Sequence, residues 1–225
     1  MVFVTAFMRD VNKTRPIDVY IEYGKKLLQT DTEQIIFIER DVYDLYFKLD
    51  LPISQFDYEG TQYDYTTHGK KTFIFFEKSN IYLYDHTISN FNVVTDNPVK
   101  DTLEYMFIQC HKTEWLKMAA MLNQKDSYIW IDFGIYHMIR NETILHDELE
   151  RISKQPMHKI RIASCIDLRR PMTKNIYTQV VWYFAGSIFG GPAHVVIDFA
   201  NKMKETCIHI IKEKNTLMWE INLWY

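Results

Sequence analysis

The chain has 225 residues, 47% hydrophobic and 24% charged, with only 7 glycines and 6 prolines. That is the make-up of a globular protein and excludes a linker or a disordered tail. A formal net charge of −3 and a pI near 6.2 exclude nucleic acid as a default partner, because a phosphate-binding surface pulls a domain basic.

Val2 to Phe7 reads as a buried strand that ends at Arg9-Asp10. Thr14-Arg15-Pro16 then offers a capping residue and an early helical proline to a helix reaching Leu27-Leu28. Gln34 to Ile38 is a second strand, so the first forty residues predict a β-loop-α-β unit of a mostly parallel sheet. The loop at residues 9–15 then lies over a strand's C-terminal end, where open α/β sheets bind nucleotides. Between Asp50 and Asn97 the strand candidates are Thr72 to Phe76 and Ile81 to Tyr84, in what reads as an insertion or lid. Pro98 opens a long helical pattern to Leu122, broken or bent near His111-Lys112.

Ser127 to Ile131 is an apolar strand that stops at Asp132-Phe133-Gly134, putting a carboxylate where a buried strand emerges. Thr143 to Ser153 reads as a short charged helix, and Ile160 to Ile166 and Val180 to Phe184 as strands. Three of the seven glycines, Gly186, Gly190 and Gly191, fall within six residues, which predicts a turn pressed against a ligand or another chain segment. Ala193 to Lys212 is an amphipathic helix, and the apolar close from Met218 to Tyr225 suggests a natural chain that continues.

No Gly/Ser/Pro-rich seam divides the chain, so one domain is expected over residues 1–225. Cys110, Cys165 and Cys207 form no CxxC pair, which fits a reducing compartment. The start lacks a signal-peptide pattern, and nowhere do about 18 apolar residues run together; a cytoplasmic protein without a transmembrane segment is expected.

Asp132 could ligate a hard divalent cation and so neutralise a diphosphate leaving group. An Asp at a strand end is more often a turn or helix-cap residue, since its side chain bonds nearby backbone amides. Arg9 and Arg15 could clamp phosphate oxygens above the first strand or be solvated loop charges. His146-Asp147-Glu148 is metal-like in composition, yet at a helix start acidic residues serve the dipole. His111, His137 and His194 have no partners at ligand spacing, and His137 is nearest to Asp132 in sequence. The absence of GxSxG, HExxH, GxxxxGK[ST] and GxGxxG removes the common hydrolase, zincin, P-loop and dinucleotide fingerprints.

Five segments in order carry a resemblance: VTAF at residues 4–7, Lys100-Asp101-Thr102 with a later Lys, WIDFG at 130–134, AGSIFGG at 185–191 and WEIN at 219–222. Together they resemble the HtrL/YibB (WlaTC-type) glycosyltransferase family of bacterial polysaccharide loci and large DNA viruses. The resemblance implies a GT-A-like α/β/α sandwich with a mostly parallel mixed sheet. Its nucleotide-binding half would run over about residues 1–135 and its acceptor half over about 136–225. It implies a nucleoside-diphosphate sugar donor, commonly with manganese, and transfer to an acceptor hydroxyl. On this reading Thr5, Ala6, Arg9, Arg15, Ile131 and Asp132 lie by the nucleotide. Asp132 stands in the metal-binding Asp-x-Asp element, whose second Asp is replaced by Gly134.

Phe133, Gly134, Gly186, Gly190 and Gly191 would then shape the sugar and acceptor cleft. Trp182 or Phe189 would offer an aromatic face, and Asn222 would complete it. A base for the acceptor hydroxyl is first sought in Glu220 and second in Asp167. The expected activity is that of a glycosyltransferase moving a sugar from a UDP-sugar to a glycan or glycoprotein. The alternative is a non-catalytic carbohydrate- or protein-binding module on the same fold.

Overall fold

The computed structural model describes residues 1–9, 16–86, 91–169, 171 and 174–224. Strand β1 (Val2–Phe7) is parallel to β2 (Gln34–Ile38) on one side and to β6 (Ser127–Ile131) on the other, and β2 is parallel to β5 (Lys71–Phe75). These strands read as unbroken apolar runs because both faces of the parallel centre are covered. Antiparallel wings extend it: β3 (Ser54–Tyr58) and β4 (Thr61–His68) beyond β5, and β8 (Phe184–Pro192) and β7 (Arg161–Ser164) beyond β6. The eight-stranded mixed sheet has the order β3-β4-β5-β2-β1-β6-β8-β7.

Alternation along β1 divides the core between two helical layers. Phe3 and Phe7 face α1 (Ile17–Leu28), α2 (Arg40–Tyr46) and α4 (Glu142–Ser153). Val2 and Val4 face α3 (Leu103–Leu122), α5 (Ala193–Lys214) and the short α6 (Glu220–Leu223). The result is the expected α/β/α sandwich.

Four local expectations change. The helix opened by Pro98 starts at Leu103, where the Thr102 side chain accepts from the Tyr105 amide at 3.2 Å, and it runs to Leu122 without a break. His111, Lys112, Thr113 and Glu114 interrupt its apolar pattern because they are polar and buried in mid-helix, not because the helix bends. Residues 81–84 form no strand; Tyr82–His86 is a 3-10 turn with Ile81, Tyr82 and Leu83 buried. In the Val180 to Phe184 run only Phe184 enters a strand, because the Asn222 side chain, not a neighbouring strand, accepts the Val181 amide.

The glycine cluster is no turn but the extended β8. A Cβ on Gly190 would overlap the Tyr128 carbonyl and the Ile129 backbone of β6, and one on Gly186 would overlap the Glu220 carboxylate. Glycine is required there for close approach of another chain segment. Thr14 and Arg15 lie outside the described residues; α1 begins after Pro16 with no side-chain cap.

Candidate functional site at the switch point of the sheet

From β1 the chain passes through α1 to β2 on one side, and it later returns through α3 to β6 on the other. The C-terminal ends of β1 and β6 therefore diverge, which is where doubly wound sheets leave a crevice for ligands. A cavity of about 880 Å³ opens at this place. Ala6 to Arg9 come from the end of β1, Asp132 to Gly134 from the end of β6, and Tyr105, Gln109 and Lys112 from α3. Tyr20, Leu45 and Tyr46 give the opposite wall an apolar and aromatic character.

Lys112 is the hub of the polar wall. Its ammonium lies 3.0 Å from Asp132 Oδ1 and 3.2 Å from Glu220 Oε1, and donates to the Gly186 carbonyl at 3.2 Å. Burial alone would lower the Lys112 pKa, but the two carboxylates outweigh it and hold the amine protonated, above its ordinary value. Side-chain exposure is 5% for Lys112, 6% for Glu220 and 32% for Asp132, so Asp132 alone of the three meets the cavity substantially. Its Oδ1 also accepts from the Trp130 indole N–H at 2.7 Å. Burial, and then the Glu220 charge, raise the pKa of the neighbouring Tyr105 phenol above its ordinary range.

Arg9 stands at the other side of the strand ends. Its amide donates to Glu39 Oε2 at 2.6 Å, and its guanidinium pairs with Glu39 and Asp41 at the start of α2. Burial works against the guanidinium, yet these two carboxylates raise its pKa. Burial raises the Glu39 carboxyl in turn, against the pull of Arg9. His137 completes the rim: its Nδ1 lies 2.6 Å from the Gly134 carbonyl, which only accepts, so Nδ1 is the donor of that pair.

Of the residues expected to form the site, Ala6, Arg9, Asp132, Phe133 and Gly134 line the cavity. Arg15 lies outside the described residues. Thr5 and Ile131 are buried within their strands, Thr5 with a hydroxyl that has no hydrogen-bond partner among the described residues. Phe189 is 2% exposed and packs against Trp130 and Trp224, so its ring has no face for a sugar. Gly190 and Gly191 abut β6 and Ile160, and Gly186 abuts Glu220. Asn222 is a structural clamp, donating to the Ile176 and Gln179 carbonyls and accepting from Val181.

Glu220 is 4% exposed and lies behind Lys112, where it cannot take a proton from an acceptor in the cavity. Asp167 forms a surface pair with Arg169 at 2.7 Å and is off the cavity wall. Trp182 is exposed but is likewise not on that wall. Lys112, Tyr105 and Gln109 were missing from the expected set. Their signal was the polar interruption of an otherwise apolar helix.

Among the described residues Asp132 is the one carboxylate on the cavity wall, and no three His, Cys, Asp or Glu side chains converge to hold a metal ion. A cation here would take one oxygen from the protein, Asp132 Oδ2, for which no hydrogen bond or ion pair occurs among the described residues. The other ligands would be diphosphate oxygens and water, the usual arrangement for magnesium-like ions at nucleotides.

The family described as "Bacterial protein of unknown function (HtrL_YibB)" matches residues 4–218. The chain belongs to this family. The matched span of this HtrL_YibB protein takes in Arg9, Lys112 and Asp132 and stops just short of Glu220. No match was found among the curated proteins or the solved structures. Among the described residues, no helix of this family member is long and apolar enough to cross a membrane.

Proposed function

We propose that this HtrL_YibB protein is a cytoplasmic glycosyltransferase that moves a sugar from a nucleoside-diphosphate sugar, a UDP-sugar first, to a hydroxyl of a glycan or glycoprotein. The observation that carries the reading is the switch-point cavity, of nucleotide-sugar size, with aromatic side chains on one wall and Lys112-Asp132 on the other. Tyr20 and Tyr46 suit the base, and Arg9 and Lys100 suit the phosphates. Asp132 would hold a divalent cation, and the chemistry that ion supplies when bound is neutralisation of the departing diphosphate.

In the transfer, the acceptor oxygen bonds to the anomeric carbon while the bond from that carbon to the diphosphate breaks and its electron pair leaves with the phosphate. With Glu220 buried and Asp167 off the wall, the acceptor proton goes to His137 Nε2, on the rim of the same cavity. The remaining work is positional and electrostatic.

A thermal-shift panel of UDP, GDP, CMP and dTDP, each with and without manganese, tests the reading on the wild type and Asp132→Asn. One nucleotide is expected to raise the melting temperature with manganese present, and Asp132→Asn to lose the manganese-dependent part. At a ligand concentration of a hundred times Kd the stabilisation is about 2.7 kcal/mol. No shift with any nucleotide would reject donor binding and favour the rival, a carbohydrate- or protein-binding module. The observation that favours that rival is the single carboxylate that the described residues bring to the wall.

A further inference from the structure

A second cavity, of about 400 Å³, opens beside the first, and Lys100 stands on the wall of both. Separate segments build it: the stretch from Thr95 to Asp101 ahead of α3, the stretch from Lys174 to Val180 ahead of β8, and Trp219 ahead of α6. Its charged side chains are Lys100, Lys174, Asp96 and Asp101. Neutral donors, not the lysines, engage the two carboxylates. Asp96 Oδ2 accepts from the Gln179 side-chain amide at 2.7 Å, and Asp101 accepts from the Thr95 hydroxyl at 2.8 Å and from the Trp219 indole at 3.3 Å. Among the described residues neither Lys100 nor Lys174 forms an ion pair, and Asp96 Oδ1 accepts no hydrogen bond.

The segment that ends the described chain fixes this wall from behind. Trp219 holds Asp101, and Asn222 donates to the Gln179 carbonyl at 2.9 Å. Donors and acceptors are therefore in place before a ligand arrives, with capacity to spare: an ammonium offers three protons, and a carboxylate oxygen accepts more than once. Among the described residues the charges balance, so an anion meets two carboxylates there and a cation meets two lysines. A sugar hydroxyl both donates and accepts, and it suits such a wall. Trp219 is 4% exposed, so recognition runs through hydrogen bonds and not through stacking on its ring.

We propose that the second cavity is the acceptor subsite and that it takes a neutral, hydroxyl-rich sugar residue. The inference rests on the transferase reading above and narrows its acceptor to a saccharide end. Acceptor hydroxyls donate to Asp96 Oδ1 and accept from Lys174, and the reacting hydroxyl points past Lys100 toward the donor cavity.

Saturation-transfer NMR on the full chain reads such weak binding directly. The probes are the methyl glycosides of glucose, galactose and mannose, methyl glucuronide, glucosamine and a serine- and threonine-containing peptide. Each is offered to the wild type, Asp96→Ala and Lys174→Met, and the nucleotide thermal-shift panel is run on the same three proteins. A neutral glycoside is expected to bind the wild type better than the charged probes or the peptide. Asp96→Ala should weaken it about tenfold and the more exposed Lys174→Met about threefold, the size of one hydrogen bond to a charged group in each case. The nucleotide shift should stay at its wild-type value in both. Lys174 has no ion pair to lose among the described residues, so its variant remains informative if Asp96→Ala, which frees Gln179, fails to fold.

Glycoside binding that both variants leave untouched would place the sugar elsewhere and overturn the inference, as would a preference for the glucuronide, the amino sugar or the peptide. Nucleotide binding with no glycoside binding would overturn it while leaving the transferase reading in place. Glycoside binding that depends on Asp96 in a protein that binds no nucleotide would remove the transferase reading, and the acceptor role with it, and leave a carbohydrate-binding module.

Discussion

His111 and Lys112 are neighbours on α3 and meet opposite surroundings. Lys112 faces the strand ends and finds three acceptors. His111 faces the packed side, among the rings of Phe76, Tyr82 and Trp115, and neither ring nitrogen has a hydrogen-bond partner among the described residues. Burial, with a smaller push from Lys204, lowers its pKa to about 3. The ordinary value is about 6.5. Between these values the unfolded chain binds a proton that the native state does not, so stability is whole above pH 6.5 and falls as the pH drops toward 3.

At pH 5 the loss from this one residue is about 2 kcal/mol. Urea denaturation at pH 7.5 and pH 5 should show it, with His111→Phe losing about 2 kcal/mol less between the two than the wild type. A constant packing cost of the larger ring cancels in that difference. Equal losses in the two proteins would show that His111 is protonated in the native state. From the sequence His111 and Lys112 were visible only as a polar gap, since the side on which each would be buried depends on what packs against α3.

Elements with a clear period were legible in the sequence. β1, β2 and β6 have the bounds expected, and α1, α4 and α5 differ from theirs by a residue or two. β3 and β4 were not found, because on this outer wing of the sheet the pattern is mostly polar and only turn chemistry marks it: Glu59-Gly60, both at positive φ, closes the hairpin. The glycines of β8 deceived for a related reason, since the same residue serves turns and tightly abutting strands.

Gly24 of α1 teaches the point in reverse. In an exposed helix, Gly to Ala stabilises by about 1 kcal/mol. Here a Cβ would overlap the Phe133 ring, which Phe7 holds from the other side with ring centroids 5.1 Å apart. Gly24→Ala is therefore expected to destabilise by about 1–3 kcal/mol and, by moving the residue next to Asp132, to weaken the nucleotide binding proposed above. Chemical denaturation and a nucleotide titration check the two parts. A gain in stability would mean that the Phe133 loop yields freely.

Across the whole molecule, protection should follow the strand order. β1, β2 and β6 lie between helical layers, whereas β7 is a four-residue edge strand with an irregular register near Ile162 and Ser164. Hydrogen–deuterium exchange should find the slowest amides in β1, β2 and β6 and much faster exchange at Arg161–Ser164, since edges open locally at little cost. Slow exchange at β7 would reveal a covering partner. The position of the cavity was foreseeable at this scale, because a β-loop-α-β start puts a loop above a strand end. The pairing behind its polar wall was not, because it joins Lys112 to Glu220, more than a hundred positions away.

That span bears on how the molecule ages. Arg9, Lys112, Asp132 and Glu220 come together only when the first strand, the long middle helix and the final turn are present at once. Loss of residues 220–224 would take away the second carboxylate on Lys112, the Asn222 clamp and the Trp224 ring together, so damage to this one short helix reaches the cavity wall and the packing at the same time.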